Sequence, residues 1–157
     1  MNREIYFKLN GEQCHLKADE NEKLLTLLRR SGHLSAKNGC QKGKCGYCTV
    51  LLDDEPVSSC IVPFGILKDS EVVTLKYFSE TNEIYRAIMA GFDLAKAKMC
   101  GYCNSARIFS VYSLIKKSTF PTDSEIAELS NEFFCTCIDK DTFRKAIKAA
   151  AENYSER

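Results

Sequence analysis

Residues 39–50 read "GCQKGKCGYCTV", three cysteines and three glycines in twelve positions, and a further cysteine follows at Cys60. Sulfur this dense has to be cross-linked, buried or bound to metal, so the cysteine pattern decides the reading of the chain. Of nine cysteines in 157 residues, Cys14 stands alone. The others are Cys40-x4-Cys45-x2-Cys48-x11-Cys60, Cys100-x2-Cys103 and Cys135-x-Cys137, two groups of four. The composition, 45% hydrophobic and 27% charged, is that of a globular protein. A net charge of +1 with scattered lysines gives no basic footprint for nucleic acid. No apolar run approaches the roughly 20 residues of a bilayer span. The N-terminus, MNREIYFKLN, has neither the apolar core of a secretory signal nor a transit segment. These features predict a cytoplasmic protein, where disulfides are rare, and an odd count leaves one thiol over in any case.

The first group has the spacing of plant-type [2Fe-2S] ferredoxins, in which four thiolates hold two irons. A short loop around an inorganic core turns backbone N–H groups toward the sulfurs, which takes unusual backbone angles. Gly39, Gly43 and Gly46 are expected to supply them through positive φ. Structural zinc, the competing reading, favours two short Cys-x2–4-Cys knuckles, which this run lacks.

The second group is less specific, since four thiolates suit zinc as well as an iron–sulfur core, and Cys-x2-Cys also serves as a redox dithiol. Its setting says more than its spacing. Cys103 stands before "NSARIFSVYSLIKK", where Ile108, Val111, Tyr112 and Ile115 recur at helical intervals. In "PTDSEIAELS", Thr122 and Glu125 form a capping-box signature for a helix ending near Asn131. "FFCTC" leads into a last helix, capped by Asp139 or Asp141, with Phe143, Ile147 and Ala150 or Ala151 on its apolar stripe. Both cysteine pairs therefore precede helices, whose N-termini favour the negative charge of a four-thiolate centre.

The N-terminal half follows a different period. Ile5, Phe7 and Leu9 alternate up to Asn10-Gly11, a strong hairpin signal. That turn sets Phe7 opposite Cys14 and Ile5 opposite Leu16, so Cys14 is expected in the core. "NEKLLTLLRRSG" reads as a helix with a leucine stripe ending at Gly32, and "CTVLLDDEPVSSCIV" with "EVVTLKYF" as further strands of a mixed sheet. The predicted fold class is α+β, a beta-grasp plant-type ferredoxin domain over residues 1–78 followed by an all-α domain over residues 79–157. The period changes from about two to about 3.6 near residues 77–83.

Taken together, "GCQKGKCGYCTVLLDDEPVSSC", "CGYC" and a late "CTC" before a final helix resemble the small iron–sulfur subunit of the molybdenum hydroxylases, the xanthine dehydrogenase, aldehyde oxidoreductase and carbon monoxide dehydrogenase group. All eight cysteines match in order. The resemblance implies that the all-α part, residues 79–157, is a helical-bundle [2Fe-2S] domain behind the beta-grasp one, and that there are two [2Fe-2S] clusters, with Cys100, Cys103, Cys135 and Cys137 holding the one near the pterin and Cys40, Cys45, Cys48 and Cys60 the one toward the flavin. It implies a molybdopterin-binding large subunit and an FAD-binding medium subunit as partners. The chain departs from the family's pattern at Met99, which replaces a glutamine, and at "CNSA", which replaces Cys-Thr-Pro-Gly. "NEFFCTCIDK" likewise replaces Gly-Asn-Leu-Cys-Arg-Cys-Thr-Gly-Tyr.

No general base stands out. His15 lies in the hairpin and His33 after the helix-ending glycine, both read as solvated side chains, so the expected role is electron transfer without a catalytic residue. Lys37, Lys42 and Lys44 flank the first loop, where they either tune its potential, dock an acidic partner, or are ordinary surface lysines. Two other functions fit the same residues, a zinc-stabilised scaffold without redox work and a free-standing ferredoxin-like carrier.

Overall fold

The alternation of Asn2–Leu9 (β1) buries Ile5, Phe7 and Leu9 between exposed Glu4, Tyr6 and Lys8. Asn10 and Gly11 then turn the chain at φ +53° and +79°, the left-handed pair that a tight hairpin needs. Strand β2 (Glu12–Asp19) returns antiparallel with Phe7 opposite Cys14 and Ile5 opposite Leu16, the register the turn predicts. The structure is a computed structural model that describes residues 1–155.

Three further strands, β3 (Thr49–Leu52), β4 (Glu55–Ser58) and β5 (Glu71–Val73), complete a five-stranded sheet in the order β2-β1-β5-β3-β4. The β1–β5 pair is parallel and the others antiparallel. Helix α1 (Leu24–Arg30) lays Leu24, Leu25, Leu27 and Leu28 into one apolar cluster with Ile5, Phe7, Val50 and Val72. The chain stops being helical at Ser31 and Gly32, then runs without regular structure until β3. The cysteine loop is thus strung between a helix end and a strand start, both anchored in the core.

Two expectations change. Residues 75–78, read as strand, open helix α2 (Leu75–Thr81). Strand β5 ends because the Asn10 side chain intercepts Thr74, accepting from its backbone N–H at 2.9 Å and its hydroxyl at 3.2 Å. Cys14 is only half-buried, packed at the margin of the apolar cluster, because β2 is an edge strand with a neighbour on one side alone.

Helices α3 (Glu83–Leu94), α4 (Asn104–Lys117), α5 (Asp123–Asn131) and α6 (Lys140–Ser155) follow, as the later periodicity predicts. The chain divides into two compact units, Met1–Glu80 with Tyr102–Phe109, and Thr81–Gly101 with the chain from Ser110 onward. In the second unit α3 and α6 touch where a Cβ on Gly91 would collide with the Ala150 backbone, 2.6 Å from its Cα. Phe143 receives Phe92 and Phe133 edge-on beside buried Ala146, Ile147, Ala150 and Ala151. Asp139 accepts from the Thr142 N–H at 2.8 Å and so serves as the start signal of α6. Among the described residues no helix is long and apolar enough to cross a membrane.

Thr122 and Glu125 form the reciprocal capping box read from the sequence. Thr122→Ala is expected to cost about 1 kcal/mol, measured by thermal unfolding of the cluster-loaded chain. Hydrogen bonds from Thr122 hold the Glu125 carboxyl below its ordinary value of 4.5. Its contribution is therefore present above pH 4.5 and lost as pH falls through the lowered folded value. The stability gap between the parent and Glu125→Ala should close over that acidic range.

Candidate metal centres

In the first cysteine loop the backbone turns its N–H groups onto sulfur. Cys40 Sγ accepts from the N–H of Lys42 at 3.4 Å, of Lys44 at 3.3 Å and of Cys45 at 3.3 Å. Cys45 Sγ accepts from the Cys40 N–H at 3.4 Å, and Cys60 Sγ from the Gly43 N–H at 3.3 Å. Lys42, Lys44 and Cys45 together bring the Cys40 thiol down from 9.0 to about 6. Burial, followed by a hydrogen bond with Cys48, pushes the Cys60 thiol up. Cys40 is therefore within reach of Cys45, and Cys60 of Cys48 and Cys40, with peptide dipoles already aimed at negative sulfur.

The carbonyl side of the same loop is held from outside by buried hydroxyls. Gly46 O accepts from Thr49 Oγ1 at 3.0 Å and from Ser105 Oγ at 3.1 Å. Cys48 O accepts from Ser59 Oγ at 2.7 Å, and Tyr47 O from the Lys37 N–H at 3.0 Å. Thr49, Ser59 and Ser105 are three of the few polar side chains buried among the described residues. Buried hydroxyls are retained where they satisfy a backbone group, and here each satisfies the loop.

The three glycines of the loop do not share one role. Gly43 (φ +71°) and Gly46 (φ +75°) take the left-handed conformation, but Gly39 does not, and Gln41 takes it instead at φ +54°. Gly39 is needed for space, since a Cβ there would lie 2.7 Å from Cys45 Sγ and 2.7 Å from the Tyr47 ring. Lys42 and Lys44 contribute through their backbone N–H groups, a role that side-chain charge does not signal.

Of the second set, Cys100, Cys135 and Cys137 lie together in the helical unit. Cys137 donates its N–H to Cys135 Sγ at 3.4 Å. Hydrogen bonds with Cys100 and then Cys135 push the Cys137 thiol up to about 11. Cys103 is buried just before α4 in the first unit, its carbonyl accepting from the Arg107 N–H at 3.2 Å. Arg107, 1 % exposed, heads the fully buried side chains by volume among the described residues. Helical periodicity picks out its apolar neighbours Ile108, Val111, Tyr112 and Ile115, all buried, but not this cation or Ser105. His15 stacks on Tyr6 at 4.3 Å, and His33 lies 3.4 Å from the Asn10 amide nitrogen.

Among the described residues no three His, Cys, Asp or Glu groups converge as ligands of a single ion must. A two-iron core takes its thiolates in two pairs and does not require that convergence. The all-sulfur donor set, the inward N–H groups and the Gly39 cradle fit such a core in the first loop.

Residues 7–72 match the 2Fe-2S iron-sulfur cluster binding domain family, and residues 74–148 the [2Fe-2S] binding domain family. The nicotinate dehydrogenase small FeS subunit of Eubacterium barkeri is 34% identical over 149 residues, 94% of this chain and 94% of its own. Isoquinoline 1-oxidoreductase subunit alpha of Brevundimonas diminuta is 32% identical over 152 residues, 94% of this chain and 97% of its own. The crystal structure of quinoline 2-oxidoreductase from Pseudomonas putida 86 superposes with a TM-score of 0.83 at 25% identity, covering 99% of this chain and 97% of that one.

Gly39→Ala should displace Cys45 Sγ and cost the first site its metal. Iron per chain is expected to fall by half with the helical content kept, measured by metal analysis beside circular dichroism.

Proposed function

Because the chain belongs to the small iron–sulfur subunits of the molybdenum hydroxylases, with a [2Fe-2S] binding domain in each half, we propose that it is the electron relay of such a complex. In this reading Cys40, Cys45, Cys48 and Cys60 hold one [2Fe-2S] cluster and Cys100, Cys103, Cys135 and Cys137 the other, in domains spanning residues 1–78 and 79–157. Its partners are a molybdopterin-binding large subunit and an FAD-binding medium subunit, in the cytoplasm. Each centre, when bound, supplies a site that takes up and releases one electron.

The observation that carries this reading is the set of peptide N–H groups on Cys40, Cys45 and Cys60 sulfur. Fixed donors stabilise negative charge on sulfur without reorganising, which favours the more negative, reduced state of whatever the thiolates hold. The hydroxyls of Thr49 and Ser59 keep those donors aimed by fixing the opposite side of the loop. Substrate oxidation belongs to the molybdopterin subunit. Nicotinate dehydrogenase, isoquinoline 1-oxidoreductase and quinoline 2-oxidoreductase are named for N-heterocyclic aromatics, so an N-heterocycle is the proposed substrate class of the complex.

Anaerobic purification from the native host tests the proposal. The expected product is red-brown and bleached by dithionite, with iron and acid-labile sulfide in equal amounts sufficient for two centres and molybdenum in a co-eluting subunit. Cys45→Ala and Cys135→Ala should each remove one centre and spare the other. A colourless, zinc-loaded chain would refute it.

A further inference from the structure

Ser105 is 2 % exposed, directs its hydroxyl at the first cysteine loop, and follows Cys103 by two residues. Its Oγ donates to Gly46 O at 3.1 Å, with Tyr47 O at 3.4 Å. Gly46 and Tyr47 are the two residues between Cys45 and Cys48. A serine in the first turn of a helix ordinarily bonds its own turn or faces water. This one reaches across 59 residues of sequence to the loop. The same junction is closed on either side by apolar contact. A Cβ on Gly46 would lie 2.5 Å from the Ala106 methyl, and the Tyr47 and Tyr102 rings meet at 5.5 Å between centroids. All of these residues belong to the first compact unit.

We propose that Ser105 is the electron bridge out of the Cys103 segment into the Cys45–Cys48 loop, a positioning residue that acts through the cysteines on either side of it. The proposal rests on the reading of both cysteine sets as [2Fe-2S] sites. From Cys103 the route follows covalent backbone to Ser105, crosses one short hydrogen bond to Gly46 O, and continues along backbone to Cys45 or Cys48. Electron tunnelling decays far less steeply along bonds and short hydrogen bonds than across empty space, so one such bond in place of a gap raises the rate. One electron leaves the centre ligated by Cys103, which is oxidised, and arrives at the centre in the first loop, which is reduced. No bond forms or breaks, and the hydroxyl keeps its proton. A proline at this position, as in Cys-Thr-Pro-Gly, has no hydroxyl to offer, so the bridge belongs to chains that carry a hydroxyl here.

The test uses the full cluster-loaded chain, rapidly reduced by one electron, with equilibration between the two centres followed by absorbance and by freeze-quench EPR. In Ser105→Ala, where Thr49 Oγ1 still donates to Gly46 O, the equilibration rate should fall several-fold while iron content and both reduction potentials stay at parent values. Ser105→Thr, which keeps the hydroxyl, should restore the rate. Parent-rate equilibration in Ser105→Ala with both centres present overturns the bridge alone. Slowing accompanied by loss of iron or a shifted potential overturns it in favour of a purely structural serine. A parent chain with iron for fewer than two centres removes the functional reading, and the bridge falls with it.

Discussion

A peptide group has two polar ends, and the fold of the first unit depends on how residues 40–48 divide them. The N–H ends of Lys42, Gly43, Lys44 and Cys45 point at sulfur, and the C=O ends of Gly46, Tyr47 and Cys48 point away into hydroxyls and a backbone donor. Sulfur is a weak acceptor when neutral and a strong one when ionised. The inward donors are therefore well satisfied only when the thiols are thiolates, as they are when bound to iron. Metal binding and loop folding are in this way one event. The sheet, α1 and the buried hydroxyls supply the frame that keeps both sets of partners in place.

In the helical unit Cys135 and Cys137 sit on the segment leading into α6, and the placement of that segment is set by where the helix begins. Asp139 determines that point for α6, two residues after Cys137. The unit is rigid enough to hold such a start because α3 and α6 approach to backbone contact at Gly91, with the Phe143 ring locked between two others.

Most of this was readable from residue order because the period of each element is local. The hairpin register followed from Asn10-Gly11, the leucine stripe of α1 from its spacing, and the capping box from Thr122 and Glu125. What residue order does not carry depends on contacts far apart in the chain. Strand β5 stops at Val73 because of a side chain 64 residues earlier, and Gly39 is required by a sulfur and a ring that only the folded loop brings near. Ser105 and Arg107 occupy helical positions with no motif of their own, and only burial singles them out. The half-buried state of Cys14 likewise depends on strand order, which no hairpin signal contains.

The strand order also bears on self-association. The sheet is open, with β2 at one margin and β4 at the other. Charged side chains stud the first margin, with Glu12, Lys17 and Asp19 along β2, while Pro56 removes an N–H from the second. Margins built this way resist the addition of a foreign strand. The sheet is thereby guarded against amyloid-like stacking with its own kind.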